Sequence, residues 1–245
     1  MVERGGAQRI PRPTTATPGD PAPWSLWTPE QRRLSLVEVR DRLVDLPPPE
    51  PAPIDLPNAR ESAVLVTIIE RAAEAHVVFT KRPASIRTHA GEIAFPGGGR
   101  EVDDPDLVAT ALREAKEEIG LAPAAVDVVG ALDYMATINS GFEIAPFVGL
   151  VEAAPVFVND PREVESVLVV PISELLDPAT YREERWDMSG LRPEWGRRAV
   201  HFFELPATDY THGRGETIWG ATGRILTRLL EHLTNTRVDA PPALG

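Results

Sequence analysis

The sequence predicts an α/β fold, on three observations. Apolar runs of strand length recur through its middle, stretches near residues 107–119 and 217–233 keep a helical period, and no repeat of solenoid length is present. Before Ser62 proline dominates instead. Twelve of the 25 prolines precede position 60, among them Pro47, Pro48, Pro49, Pro51 and Pro53, so residues 1–58 are expected to form a rigid, extended leader outside the core. Within it, Thr28-Pro29-Glu30 followed by QRRLSLVEVRDRLVDL reads as an N-capped amphipathic helix with Leu34, Val37, Leu43 and Leu46 available to dock.

Residues 59–235 read as the folded domain. AVLVTII (63–69) and HVVFT (76–80) are strands joined across ERAAEA, and GEIAF (91–95) is a short third. The helix over 107–119 closes at Gly120, a residue suited to the left-handed C-terminal position. Further strands are expected at 126–135, 142–151, 165–171 and 199–205, and the last helix carries Trp219, Ile225, Leu226, Leu229 and Leu230 on its apolar side. Residues 236–245 form a short tail.

Composition excludes several functions. The chain has 245 residues and no cysteine, which removes thiol nucleophiles, CxxC redox centres and Cys-ligated zinc, so a metal must use oxygen or histidine. With 25 basic against 37 acidic residues the net charge is −12, which disfavours nucleic acids and anionic membranes as partners. An anionic small substrate then needs a bound cation or a few local arginines. No apolar run approaches the ~18 residues of a membrane span. The N-terminus lacks a secretory pattern, and a cytoplasmic protein is expected.

On a helix turning ~100° per residue, Val108, Ala111, Leu112, Ala115 and Ile119 form one buried stripe. Glu114, Glu117 and Glu118 gather on another side at i, i+3, i+4. Glu114 and Glu118 repel each other near the helix C-terminus, where the dipole also disfavours anions, and Arg113 is the nearby positive partner, one turn from Glu117. Converging carboxylates of this kind are what a hard divalent cation needs. Phe95-Pro96-Gly97-Gly98-Gly99 lies just upstream, with glycines that let backbone approach a phosphate or metal closely. Neither a Walker loop nor a dinucleotide-binding GxGxxG is present.

GGGREVDDPDLVATALREAKEEIGL resembles the Nudix box. Its second half is complete as Arg113-Glu114-Ala115-Lys116-Glu117-Glu118-Ile119-Gly120-Leu121. In the first half, spacing from Gly99 puts Pro105 where a glutamate is expected; taking Gly98 as the box glycine puts Asp104 there, with an extra residue before Arg113. That extra residue is similar to the coenzyme A diphosphatase branch of the family. So is the upstream segment, in which Val78-Phe79-Thr80 leads to Arg87, Gly91 and Phe95-Pro96-Gly97-Gly98. Weaker echoes follow at Ser140-Gly141-Phe142, from Asn159 to Val164, and from Ile218 to Thr222.

The resemblance implies a Nudix fold, an α/β/α sandwich with a mixed β-sheet. It implies a Mg²⁺- or Mn²⁺-dependent hydrolase that cuts the diphosphate of coenzyme A or its thioesters to 3′,5′-ADP and 4′-phosphopantetheine. Glu114 and Glu118 are then metal ligands, Glu117 a ligand or proton acceptor, and the Gly97 carbonyl a further ligand. Arg113 orients the carboxylates. Arg82, Arg87 and Gly98 are expected at the substrate, and Glu163 is either a second base or an exposed loop glutamate. Asp104 is an outer acid or part of the turn. His76, His89, His201, His212 and His232 show no ligand spacing, with His89 the one whose position bears checking, and Ser140 has no nucleophile elbow. ADP-ribose or NADH as substrate, a nucleotide sensor without turnover, and a homodimer all remain open.

Overall fold

The computed structural model describes residues 4–8, 10–52, 58–85, 89–137, 141–153, 155–191 and 195–236. Strand β2 (Arg60–Arg71) is the axis of the molecule. It runs parallel to β8 (Phe142–Val151) in continuous register from Arg60↔Phe142 to Ile69↔Val151. It also turns through Ala72 and Ala73, both left-handed, into antiparallel β3 (Glu74–Lys81). Strands β4 (Ile93–Ala94) and β9 (Ser166–Pro171) pair with β3, β5 (Gly97–Gly99) pairs with β2, and β6 (Asp127–Ala131) and β7 (Met135–Thr137) pair with β8. Only β2 and β8 are parallel, so the eight-stranded sheet is mixed as expected.

Alternation along β2 divides the core. Ala63, Leu65 and Ile69 meet Ala111, Ala115 and Ile119 of helix α2 (Leu107–Ile119), while Val66 and Ile68 face the opposite side. Helix α2 starts where the Asp106 side chain accepts from Ala109 N at 2.8 Å and stops at Gly120, whose φ of 71° is left-handed. On the other face lie helices α1 (Leu36–Leu43) and α4 (Gly220–Thr234), and a second sheet of β1 (Thr17–Pro18), β10 (Tyr181–Asp187), β11 (Arg197–Leu205) and β12 (Glu216–Ile218). A one-turn helix, α3 (Ile172–Leu175), follows β9. No described helix is long and apolar enough to cross a membrane.

The N-terminal segment corrects the expected leader. Trp24 is fully buried, with its ring 5.2 Å from Tyr181 and 6.3 Å from Phe203, and Leu34, Leu36, Val39 and Leu43 join the same core. Arg4 reaches Glu174 at 2.5 Å, and β1 adds to the edge of β10. Proline restricts backbone and removes a donor, but it does not keep the apolar side chains between prolines from docking. The helix is also shorter than expected, because Ser35 and Glu38 form a capping box that starts it at Leu36. That start turns Leu36 and Val39 inward and leaves Val37 exposed.

Strand β10, not expected from the sequence, buries Glu184 between Tyr181 and Trp186, so its alternation does not read as apolar. Trp186 Nε1 and Arg12 Nε donate to Glu184 at 2.7 and 2.8 Å. Thr217 and Ile218, expected at the start of the last helix, belong to β12 (Glu216–Ile218) instead. The Val238–Gly245 tail lies outside the described residues. Replacing Trp24 by Ala is expected to cost about 3–5 kcal/mol of unfolding free energy, read as a lower urea midpoint; an unchanged midpoint would restore the separable leader.

Candidate active site

Three glycines set the floor of the site. A Cβ on Gly97 would stand 2.4 Å from the Ala63 carbonyl oxygen, and one on Gly98 would stand 2.3 Å from Glu114 Oε1. A side chain at Gly97 would have to move the backbone of β2, and one at Gly98 would have to displace the Glu114 carboxylate. Beyond the glycines, Asp104 is buried and accepts from Glu101 N at 2.9 Å and Thr110 Oγ1 at 3.0 Å. Arg113 completes the arrangement, donating from Nε and Nη2 to the two Asp104 oxygens at 3.0 Å each. That pairing holds the Asp104 carboxyl well below the usual carboxylate range and the Arg113 guanidinium above its own.

Arg113 also donates to Gly99 O at 3.0 Å, Glu114 Oε1 at 2.9 Å and Glu117 Oε2 at 3.1 Å. One guanidinium therefore ties loop, helix and carboxylates together. Asp104 belongs to the turn and anchors Arg113 behind the carboxylates. Thr110 was missed; its hydroxyl interrupts an otherwise apolar helix face, which was the available signal.

Glu118 is 5% exposed, and its Oε2 has no hydrogen-bond partner among the described residues. Burial, and then the charge of Glu114, push its carboxyl up to about 8, against the pull of Arg82 and of the Gly97 N–H. Burial likewise raises Glu114, opposed by Arg113. Glu163 adds to both shifts, because its loop is docked on the end of α2 by Val158 N to Ile119 O and Asp160 N to Glu118 O, each at 3.0 Å. Arg82 Nε is buried without a hydrogen-bond partner among the described residues. Thus Arg82, Gly97, Gly98, Arg113, Glu114, Glu118 and Glu163 come together.

Glu117 is 58% exposed at the rim of this group, held by Arg113 at 3.1 Å, and the other candidates stand apart. His89 pairs with Glu92 at 2.7 Å on the surface, and Trp219 packs against Trp186 at 6.3 Å. Arg87 and Ser140 lie outside the described residues. A cleft of about 510 Å³, lined by Arg60, Glu61, Gly99, Arg100, Glu101, Val102 and Phe142, opens from the glycine loop and was not foreseen.

Among the described residues, no three Asp, Glu or His side chains already stand in a coordinating arrangement. The partnerless oxygen of Glu118 and its repulsion from Glu114 nevertheless fit a divalent cation, and an all-oxygen donor set suits Mg²⁺ or Mn²⁺. A cation must displace the proton on Glu118. Its affinity should therefore rise by up to about tenfold per pH unit below pH 8 and level off above it, measurable by calorimetry with Mn²⁺. Gly98→Ala should displace the Glu114 carboxylate and lower kcat by about 100-fold with an unchanged circular dichroism spectrum.

A family model described as NUDIX domain matches residues 59–189. The uncharacterized Nudix hydrolase NudL of Cronobacter sakazakii is 40% identical over 173 residues, covering 70% of this chain and 82% of that protein. Nudix hydrolase 22, chloroplastic, of Arabidopsis thaliana is 37% identical over 172 residues, covering 69% of this chain and 54% of that protein. Among solved structures, a MutT/nudix family protein from Enterococcus faecalis aligns with a TM-score of 0.46 at 10% identity, covering 74% of this chain and 64% of that one.

Proposed function

Since the chain belongs to the Nudix family, we propose that its substrate is coenzyme A or one of its thioesters, cut at the diphosphate into 3′,5′-ADP and 4′-phosphopantetheine or its acyl form. It is a Nudix hydrolase, and the class of substrate is a nucleoside diphosphate derivative. Nudix hydrolases generally use divalent metals such as Mg²⁺ or Mn²⁺. The observation that supports coenzyme A is the segment from Val78 to Gly98, whose signature spacing ends by delivering Arg82 to Glu118 and Gly98 to Glu114.

Glu114 and Glu118, with the Gly97 carbonyl, would hold the cation, which when bound neutralises charge on the diphosphate oxygens. Arg82 faces the same space with a free Nε–H and places positive charge where a net acidic protein would otherwise repel the substrate. Arg113 keeps Glu114 in place through its own anchorage on Asp104. Glu163, on an exposed loop beside both carboxylates, accepts the proton of the attacking water. Arg87 extends the binding surface in this reading, and Glu117 sits at the rim as a further ligand or acceptor.

Glu118→Gln tests the site. The raised pKa means that the cation-free protein already carries a largely neutral side chain there at pH 7, so the amide should fold normally and abolish turnover. Parent-level hydrolysis by the variant would refute the assignment. Incubating the parent protein with Mg²⁺ or Mn²⁺ and coenzyme A, acetyl-coenzyme A, ADP-ribose and NADH, with products identified by mass, tests the substrate. Preferential release of 3′,5′-ADP is expected. Preference for ADP-ribose or NADH would keep the chemistry and overturn the substrate, and binding without turnover would indicate a sensor.

A further inference from the structure

Half-buried arginines of this protein generally face carboxylates: Arg4 meets Glu174 at 2.5 Å, Arg113 meets Asp104 at 3.0 Å, and Arg228 meets Glu231 at 2.7 Å. Arg224, also half-buried on α4, forms no hydrogen bond or ion pair within 4 Å with a described residue. Its neighbours add positive charge. Arg228 lies one turn further along the helix, and Arg198 on β11 spends its Nε on Trp195 O at 3.0 Å. Burial, then Arg228 and Arg198, hold the Arg224 guanidinium below its ordinary value and outweigh Asp133 and Glu231. Gly223 brings this part of α4 onto β11, where a Cβ would stand 2.5 Å from His201 O. His201 itself is pushed down to about 3 by burial and by Arg224 and Arg228, so it is neutral and balances nothing.

The arginines lie at the catalytic end of the sheet, across it from α2. Helix α4 follows β12, whose Glu216 holds Lys81 Nζ at 2.5 Å, and Lys81 precedes Arg82. Further along, Arg228 Nε is 3.9 Å from Asp133, just before β7. Strand β7 pairs with the first residues of β8, as β5 pairs with the early residues of β2. A half-buried guanidinium with no carboxylate paired to it among the described residues costs stability and fits a ligand that supplies an anion. Its planar fork matches a phosphate.

We propose that Arg224, assisted by Arg198, receives a phosphate monoester carried by the substrate away from the scissile diphosphate. The inference rests on the coenzyme A reading, in which that group is the 3′-phosphate.

The test compares coenzyme A with 3′-dephospho-coenzyme A on the full chain with Mg²⁺, for the parent protein and Arg224→Gln. The parent should favour coenzyme A by about tenfold or more in kcat/KM, mainly through KM, and the variant should bring that ratio toward one. A parent indifferent to the 3′-phosphate, or a variant that keeps the preference, overturns the proposal. Thermal unfolding checks the variant's fold, and its Tm should not fall, because the substitution removes an uncompensated charge. If the parent cleaves neither compound, the substrate reading fails separately, and calorimetry with 3′,5′-ADP and 5′-AMP still decides the role of Arg224. Tighter binding of 3′,5′-ADP by the parent alone upholds it, and equal affinities overturn it.

Discussion

The acidic cluster depends on the Asp104–Arg113 ion pair. Three glutamates on one side of a helix repel one another, and two are withdrawn from water, which is tolerable only with a cation held rigidly among them. Arg113 cannot drift toward solvent, because Asp104 binds it through two parallel bonds and the Gly99 carbonyl through a third. Asp104 is in turn fixed by the Glu101 N–H and the Thr110 hydroxyl. The chain of support runs from the turn, through the guanidinium, to Glu114.

That arrangement has to be carried by something stiff, and the parallel pair β2 and β8 supplies it. The early residues of β2 take β5 along one edge and β8 along the other, so the glycine loop is registered directly against the centre of the sheet. Ala63 illustrates the coupling, since its side chain packs in the core under α2 while its carbonyl oxygen lies against Gly97. A bulkier residue at Gly97 would disturb the strand itself, not only the loop. The site is therefore built on sheet and helix, whereas Glu163 arrives on a loop tied to the last turn of α2.

Most of this region was legible because local chemistry and long-range packing agree there. The 107–119 helix has its cap, its apolar stripe and its terminal glycine in the sequence, and the structure uses all three. The N-terminal segment was misread because proline content was taken as a statement about side chains, although Trp24 and the leucines of α1 are as apolar as any core residue. Strand β10 was invisible for the opposite reason: its inward Glu184 is compensated by Trp186 two residues along the strand and by Arg12, which is distant in sequence. Glu118 could be assigned to the acidic side by periodicity, but its environment includes the charge of Arg82 and the loop that carries Asp160 and Glu163, which are distant in sequence.

Unbalanced groups of both signs then stand at one end of the sheet. Among the described residues, Glu118 has an oxygen without a partner, Arg82 has an N–H without one, and Arg224 faces other arginines more than carboxylates. Charges beside them are paired closely, as Lys81 with Glu216 and Arg228 with Glu231 show. Pairing Arg82 or Arg224 in the same way would lower the cost of burial but would occupy the donors that an incoming anion needs. In the proposed reading, a cation-loaded acidic cluster with guanidinium groups to its side would present alternating charge to a ligand that is itself an extended polyanion. The stability forgone in the free protein is returned when such a ligand supplies the missing partners.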